Sequence, residues 1–353
     1  MLKINKIKSP TFAVNTDIVK KNIQKIQNKL GETTIFRPHF KTHDNKQTAN
    51  IFRELGINKI TVSSIEMAIY FRRLGFKDIN ISFPINFREQ KALQKLSKNT
   101  NLHLLVSNSF SAKQLSSLND IKANVWIEID TGYKRSGISH NNLKEIQDCI
   151  KLITQASHLN FSGFLNHNGE TYLLNKKEEI LQSTLGSIAK MNFLKSEFSN
   201  YSPKISIGDT PGCSLLDNFD GIDEIRPGNF VYYDLMMLEK QVCTKEQIAT
   251  TLFCPIVDIN NDRKEIIIHG GAIHFSKEFI EFNNKKIFGR AIKHYSTDIS
   301  EINEDIVSLS QEHGIVKINN SNFENYKPGN LIEIIPVHSC LAANLMKGKT
   351  RHY

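Results

Sequence analysis

Short apolar runs rich in β-branched and aromatic residues alternate along the first two thirds of the chain with longer segments whose apolar residues recur every three or four positions. The runs fall at 11–14, 34–40, 59–62, 78–83, 102–106, 123–129, 160–165 and 204–207, and their length and composition predict strands. The segments between them, 16–30, 45–55, 64–74, 89–96, 109–118, 142–158 and 176–198, carry the spacing of amphipathic helices. Thr16 and Ser109 are expected as helix caps. Eight strands alternating with helices predict a (β/α)8 TIM-type barrel over 1–234, because a doubly wound sheet more often stops near six strands. After Asp234 the rhythm changes to strand-like runs at 265–269, 314–318 and 331–337, which predict a mainly β C-terminal domain over 235–353.

Composition narrows the class. With 40% hydrophobic and 23% charged residues and no apolar run of membrane-spanning length, the chain reads as a soluble globular protein with no membrane partner. The first ten residues alternate lysine with isoleucine and lack the apolar stretch of a signal peptide, so a cytoplasmic location is expected. Five cysteines without a Cys-x-x-Cys pair predict reduced thiols rather than a disulfide framework or a four-thiolate zinc site. The formal charge of +9 is spread through the helical segments instead of forming a basic tract, which argues against a nucleic-acid partner.

Barrel active sites form at the C-terminal ends of the strands, and the polar motifs collect there. The second expected strand ends in Lys41-Thr42-His43, and a lysine so placed can form a Schiff base with an aldehyde cofactor. The sixth runs into Glu128-Ile129-Asp130 and on to Arg135, the seventh into His167 and Tyr172, and the eighth into Gly208-Asp209-Thr210-Pro211-Gly212. Glycines and a threonine at the usual barrel phosphate position make Thr210, Gly228 and Asn229 candidate phosphate ligands, although the same letters describe a tight turn. Arg135 is a candidate for a cofactor contact, although an ion pair with a nearby carboxylate is the favoured reading of an isolated arginine, and Asp130 and Tyr172 are equally candidates for structural roles. In the second domain His338 and Cys340 follow a predicted strand at a spacing of two, which turns both side chains to one face and suits zinc or another divalent cation. A buried histidine beside a buried cysteine is the alternative.

Arg37-Pro38-His39-Phe40-Lys41-Thr42-His43, Ser206-Ile207-Gly208-Asp209-Thr210-Pro211, Arg226-Pro227-Gly228-Asn229-Phe230, Gln311-Glu312-His313-Gly314 and Pro336-Val337-His338-Ser339-Cys340 together resemble the D-threonine aldolase and D-serine dehydratase family, pyridoxal-phosphate enzymes of the alanine racemase fold type. The resemblance covers nearly the whole chain in order. It implies that Lys41 carries pyridoxal 5'-phosphate, that Tyr172, Thr210, Gly228 and Asn229 hold the cofactor, that Arg135 faces its ring nitrogen, and that His338 and Cys340 bind zinc. It also implies a homodimer. Two departures stand out: His269-Gly270-Gly271 where relatives often have Asp-Ala-Gly, and Asp44 where a lysine is common.

The expected activity is a lyase acting on a small β-hydroxy D-amino acid. Lys41 removes the Cα proton, and zinc draws on the β-hydroxyl as a Lewis acid. Elimination gives a keto acid and ammonia; retro-aldol cleavage, with His167 or His43 as base, gives glycine and an aldehyde. The His-x-Cys pair inclines the reading toward elimination. The alternatives are an amino-acid racemase of the same fold, which needs no metal pair, and a non-catalytic pyridoxal-phosphate carrier, which needs no β-rich tail.

Overall fold

The structure, a computed structural model, describes residues 3–282, 284–295, 302–318 and 323–353. In chain order the first ten strands are β1 (Thr11–Val14), β2 (Ile35–Phe36), β3 (Lys59–Val62), β4 (Asp78–Pro84), β5 (Asn101–Val106), β6 (Ala123–Asp130), β7 (Ile138–Ser139), β8 (Leu159–Asn166), β9 (Lys204–Ile207) and β10 (Glu224–Ile225). Eight of them pair in parallel in the order β2-β10-β9-β8-β6-β5-β4-β3. Just past β2, the Phe40 N–H donates to the Thr61 carbonyl at 2.8 Å and the Thr61 N–H to the Pro38 carbonyl at 2.9 Å, which joins β2 to β3 and closes the barrel.

The intervening helices are α1 (Thr16–Gln27), α2 (Lys46–Glu54), α3 (Ile65–Arg73), α4 (Gln90–Ser97), α5 (Ser109–Ser116), α6 (Leu143–Gln155) and α7 (Lys177–Glu197), one at each predicted segment, with α4 running one residue past the expected end. Two expected caps are off by one residue. Asn15 accepts the Asp17 and Ile18 N–H groups, and Asn108 accepts that of Ser111, so Thr16 and Ser109 are first helical residues instead. An asparagine reaches the free amides at a helix start as well as a hydroxyl does.

Two compact units divide the chain: Ile23–Gly228, and Met1–Asn22 together with Asn229–Tyr353. The first expected barrel strand therefore lies elsewhere, since β1 belongs to the second unit. The eighth barrel strand is β10, whose two residues are too few to show a period. An apolar run reports burial and leaves the choice of neighbour open.

The second unit continues with β11 (Thr250–Asn260), β12 (Glu265–His269), β13 (Ile280–Phe282), β14 (Lys285–Ile287), β15 (Gly289–His294), β16 (Glu304–Leu309), β17 (His313–Lys317), β18 (Leu331–Pro336) and β19 (Thr350–His352). Antiparallel pairing runs β12-β17-β16-β15-β18-β11 and returns from β11 to β12, a closed β-barrel. β1 lies antiparallel to β11 and parallel to β19, and its four residues are all buried. Among the described residues no helix is long and apolar enough to cross a membrane.

Candidate active site

A cavity of about 480 Å³ opens at the C-terminal ends of the parallel strands, the size and place of a small-ligand site. Lys41, His39, Arg135, His167, Gly208 and Arg226 line it, with Glu128 and Ser136. Lys41 is exposed into it, while its backbone N–H donates to Nδ1 of His39 at 3.3 Å. An Nδ1 that accepts an amide proton leaves the proton of the neutral ring on Nε2. Burial, then the charges of Lys41 and Arg226, push the pKa of His39 well below its ordinary value.

His167 has the opposite tautomer. Its Nδ1 lies 2.5 Å from the Gly208 carbonyl oxygen, which can only accept, so the lone pair is on Nε2. Burial pushes its pKa down to about 3, against the pull of that carbonyl. His43 is absent from the cavity wall. It is fully buried, stacked on Phe52 at 4.8 Å and 17° and edge-on to Phe40 at 4.4 Å, and burial pushes it down to about 3. Two residues along the chain from Lys41, it points into the aromatic core and cannot reach a substrate.

Near His167, the Tyr172 hydroxyl accepts the Thr210 N–H at 3.0 Å. Thr210 opens the short helix Thr210–Leu215, capped by Asp209, whose carboxylate accepts the Gly212 N–H at 2.7 Å and the Thr171 hydroxyl at 3.0 Å. Burial raises the Asp209 pKa to about 6. At Gly228 a Cβ would stand 3.1 Å from the His39 carbonyl oxygen, so glycine is what lets this turn lie against the residues before Lys41. These groups fit pyridoxal phosphate: a lysine facing a cavity, and hydroxyl, amide and glycine positions where a phosphate needs donors and no Cβ.

Arg135 is half-exposed, 3.9 Å from Glu128 and over the ring of Tyr133 at 5.7 Å. The buried arginine of the cavity wall is Arg226, which sequence reasoning passed over. The available signal was an arginine opening an Arg-Pro-Gly turn, but the strand before it is too short to have been recognised.

Asn229 belongs to the second unit, where its side-chain amide donates to Asp234 at 2.7 Å and to the Cys340 sulfur at 3.6 Å. His338 and Cys340 are hydrogen-bonded to each other. They are not on a strand: β18 ends at Pro336, and His338 stands just before the helix Ser339–Leu345 that contains Cys340. The two side chains meet because the chain turns into a helix there. Glu278, which sequence reasoning missed, places Oε2 2.5 Å from Nδ1 of His338. Although burial opposes it, the Cys340 thiolate, Glu278 and Asp234 raise the His338 pKa to about 11. An imidazole oriented by a carboxylate beside a thiolate is a donor set that fits zinc.

A second cluster in this unit, His269, His274 and Glu312, has its ligand atoms within 4.8 Å of one another. Here the Gly271 N–H donates to Nδ1 of His274 at 3.1 Å, which puts the proton of the neutral ring on Nε2. A Cβ at Gly271 would stand 2.3 Å from the Gln311 carbonyl oxygen, which accounts for glycine at this position.

The family model of the alanine racemase N-terminal domain matches residues 14–235, and that of the serine dehydratase domain matches 249–349. The D-serine dehydratase of Dictyostelium discoideum is 28% identical over 96% of this chain and 92% of its own. The D-threo-3-hydroxyaspartate dehydratase of Delftia sp. HT23 is 24% identical over 94% of this chain and 90% of its own. Its solved structure superposes with a TM-score of 0.87 at 22% identity, over 96% of this chain and 93% of that one. The D-threonine aldolase of Filomicrobium marinum shares the fold at a TM-score of 0.80 and 16% identity, over 97% and 91%.

Proposed function

Because the chain belongs to the family of the alanine racemase N-terminal domain, the fold-type III pyridoxal-phosphate enzymes, we propose that it is a pyridoxal-phosphate- and zinc-dependent lyase acting on β-hydroxy D-amino acids. The observation that carries this reading is Lys41, exposed into a barrel-mouth cavity whose wall also holds His167, Gly208 and Arg226. Lys41 would hold the cofactor covalently, and its amine would serve as the base for the substrate Cα proton. Tyr172, Thr210, Gly228 and Asn229 would hold its phosphate, and Arg135 and Arg226, both on the cavity wall, would be the cations facing it. Pyridoxal phosphate supplies an electron-withdrawing ring that accommodates the electron pair left on Cα. His338 and Cys340 hold zinc, which supplies Lewis acidity to an oxygen leaving group. A mutant of the Delftia dehydratase is described as being in a metal-free form, which supports a metal in relatives.

Between the two fates of the substrate, elimination is favoured. Retro-aldol cleavage needs a base for the β-hydroxyl proton, and neither expected base suits. His43 is sealed in the aromatic core, and burial makes His167 a weaker base than an ordinary imidazole. Two relatives matching over nine tenths of the chain are named dehydratases, which agrees.

The test is incubation of the holoenzyme with D-serine, D-threonine and 3-hydroxy-D-aspartate, assaying keto acid, ammonia, glycine and aldehyde together. Keto acid and ammonia in equal amounts are expected. Glycine with aldehyde would reverse the choice of cleavage, and interconversion of enantiomers alone would make the chain a racemase.

A further inference from the structure

Beneath the cavity the barrel interior holds a chain of charged and hydroxyl groups. Arg37, Ser206, Glu224 and Arg226 are each at most 3% exposed. The Nε–H of Arg226 donates to the Ser206 hydroxyl at 2.7 Å, and that hydroxyl donates to Glu224 Oε1 at 2.7 Å. A hydroxyl has one proton and an arginine only donates, so this direction is forced. The other Glu224 oxygen accepts the Nε–H of Arg37 at 2.6 Å. Arg37 in turn pairs with Asp78. His103 is the neutral end of the chain: the Trp126 indole N–H enters its Nδ1 at 3.3 Å, so its own proton sits on Nε2, 3.3 Å from Asp78.

We propose that Glu224, Ser206 and Arg37 are positioning residues that keep the Arg226 guanidinium charged and aimed into the cavity, an inference that rests on reading the cavity as the cofactor site. Arg226 gives Nε to Ser206 and Nη2 to the Asn166 carbonyl at 2.6 Å, while Nη1 lies beside Gly208, another lining residue. A buried guanidinium needs a compensating charge, and Glu224 provides it. Burial opposes ionisation of Glu224, but Arg37 outweighs it and holds the carboxyl below its usual range. Because Arg37 occupies one carboxylate oxygen and the Ser206 hydroxyl bridges the other, Glu224 stays 4.0 Å from Arg226 instead of closing onto it. The positive charge is therefore balanced from behind and remains directed at whatever binds in front.

The variants are Ser206→Ala, which deletes one oxygen, and Glu224→Gln, which deletes the charge and keeps the shape. In both, the pH midpoint of the bound-cofactor absorbance should move, and kcat should fall about tenfold or more while KM stays within about threefold. Arg37→Lys, which keeps the charge on Glu224, should retain most of the native spectrum; Arg37→Met should not. Emission of Trp126, the single tryptophan, should be unchanged in cofactor-free Ser206→Ala, showing that the lower network is intact. Folded Ser206→Ala and Glu224→Gln proteins with native spectrum, cofactor affinity and kcat would overturn the inference and leave the functional reading standing. A native chain that takes up no pyridoxal phosphate would overturn both.

Discussion

The Nδ1 proton of His167 is held by the Gly208 carbonyl oxygen 2.5 Å away, so the lone pair of this ring lies on Nε2. In the same cavity His39 accepts the Lys41 amide at Nδ1 and carries its proton on Nε2. The cavity thus offers one imidazole acceptor and one imidazole donor, both kept neutral by burial. Neither will change charge around neutral pH, so neither should set the pH dependence of turnover there.

Lys41→Ala should lose the absorbance of the covalently held cofactor and reduce turnover by about a thousandfold or more, the scale of a lost acid–base group together with its covalent anchor. Spectra and rates of the purified variant check this. A variant keeping both the band and full turnover would remove Lys41 from the mechanism.

Tyr172→Phe deletes the oxygen that accepts the Thr210 N–H. One hydrogen bond is worth about 1 kcal/mol net, so cofactor affinity should fall about fivefold with the fold intact. Equilibrium dialysis of the cofactor measures it; unchanged affinity would place the phosphate elsewhere.

Chelation should abolish turnover and added zinc restore it. Glu278→Gln, which weakens the hold on Nδ1 of His338, should lower zinc affinity about ten- to a hundredfold without touching either ligand. Turnover indifferent to chelators would point instead to racemase chemistry.

Acid stability follows from His43 and His167. Both have folded pKa values near 3, against about 6.5 unfolded, so between these values the unfolded chain binds more protons. Their contribution is complete above pH 6.5 and is lost as pH falls toward 3. His43→Leu, placed among Phe40 and Phe52, should flatten the acid limb of a denaturant midpoint-versus-pH curve. An acid limb as steep as that of the native chain would show that His43 does not contribute to it.

Helix positions were legible because their signal is local. The segment at 142–158 contains α6, started by Asn142, and the apolar stripe along it is the stripe it buries. The lysine at a strand end was legible for the same reason. Strand partners were not: residues 11–14 read as a barrel strand and pair instead with β11 and β19, while β10 left no periodic trace.

The sequence by itself determined the alternation of strands and helices, the barrel it implies, and a set of motifs at the strand ends, since hydrophobic period and turn chemistry are properties of neighbouring residues. Only the tertiary structure decided that His43 faces the aromatic core, that the buried arginine of the cavity is Arg226 rather than Arg135, and that Glu278 meets His338 across 60 positions of chain. Those choices depend on packing between segments far apart in sequence, where burial and charge pairing select partners that no local pattern encodes.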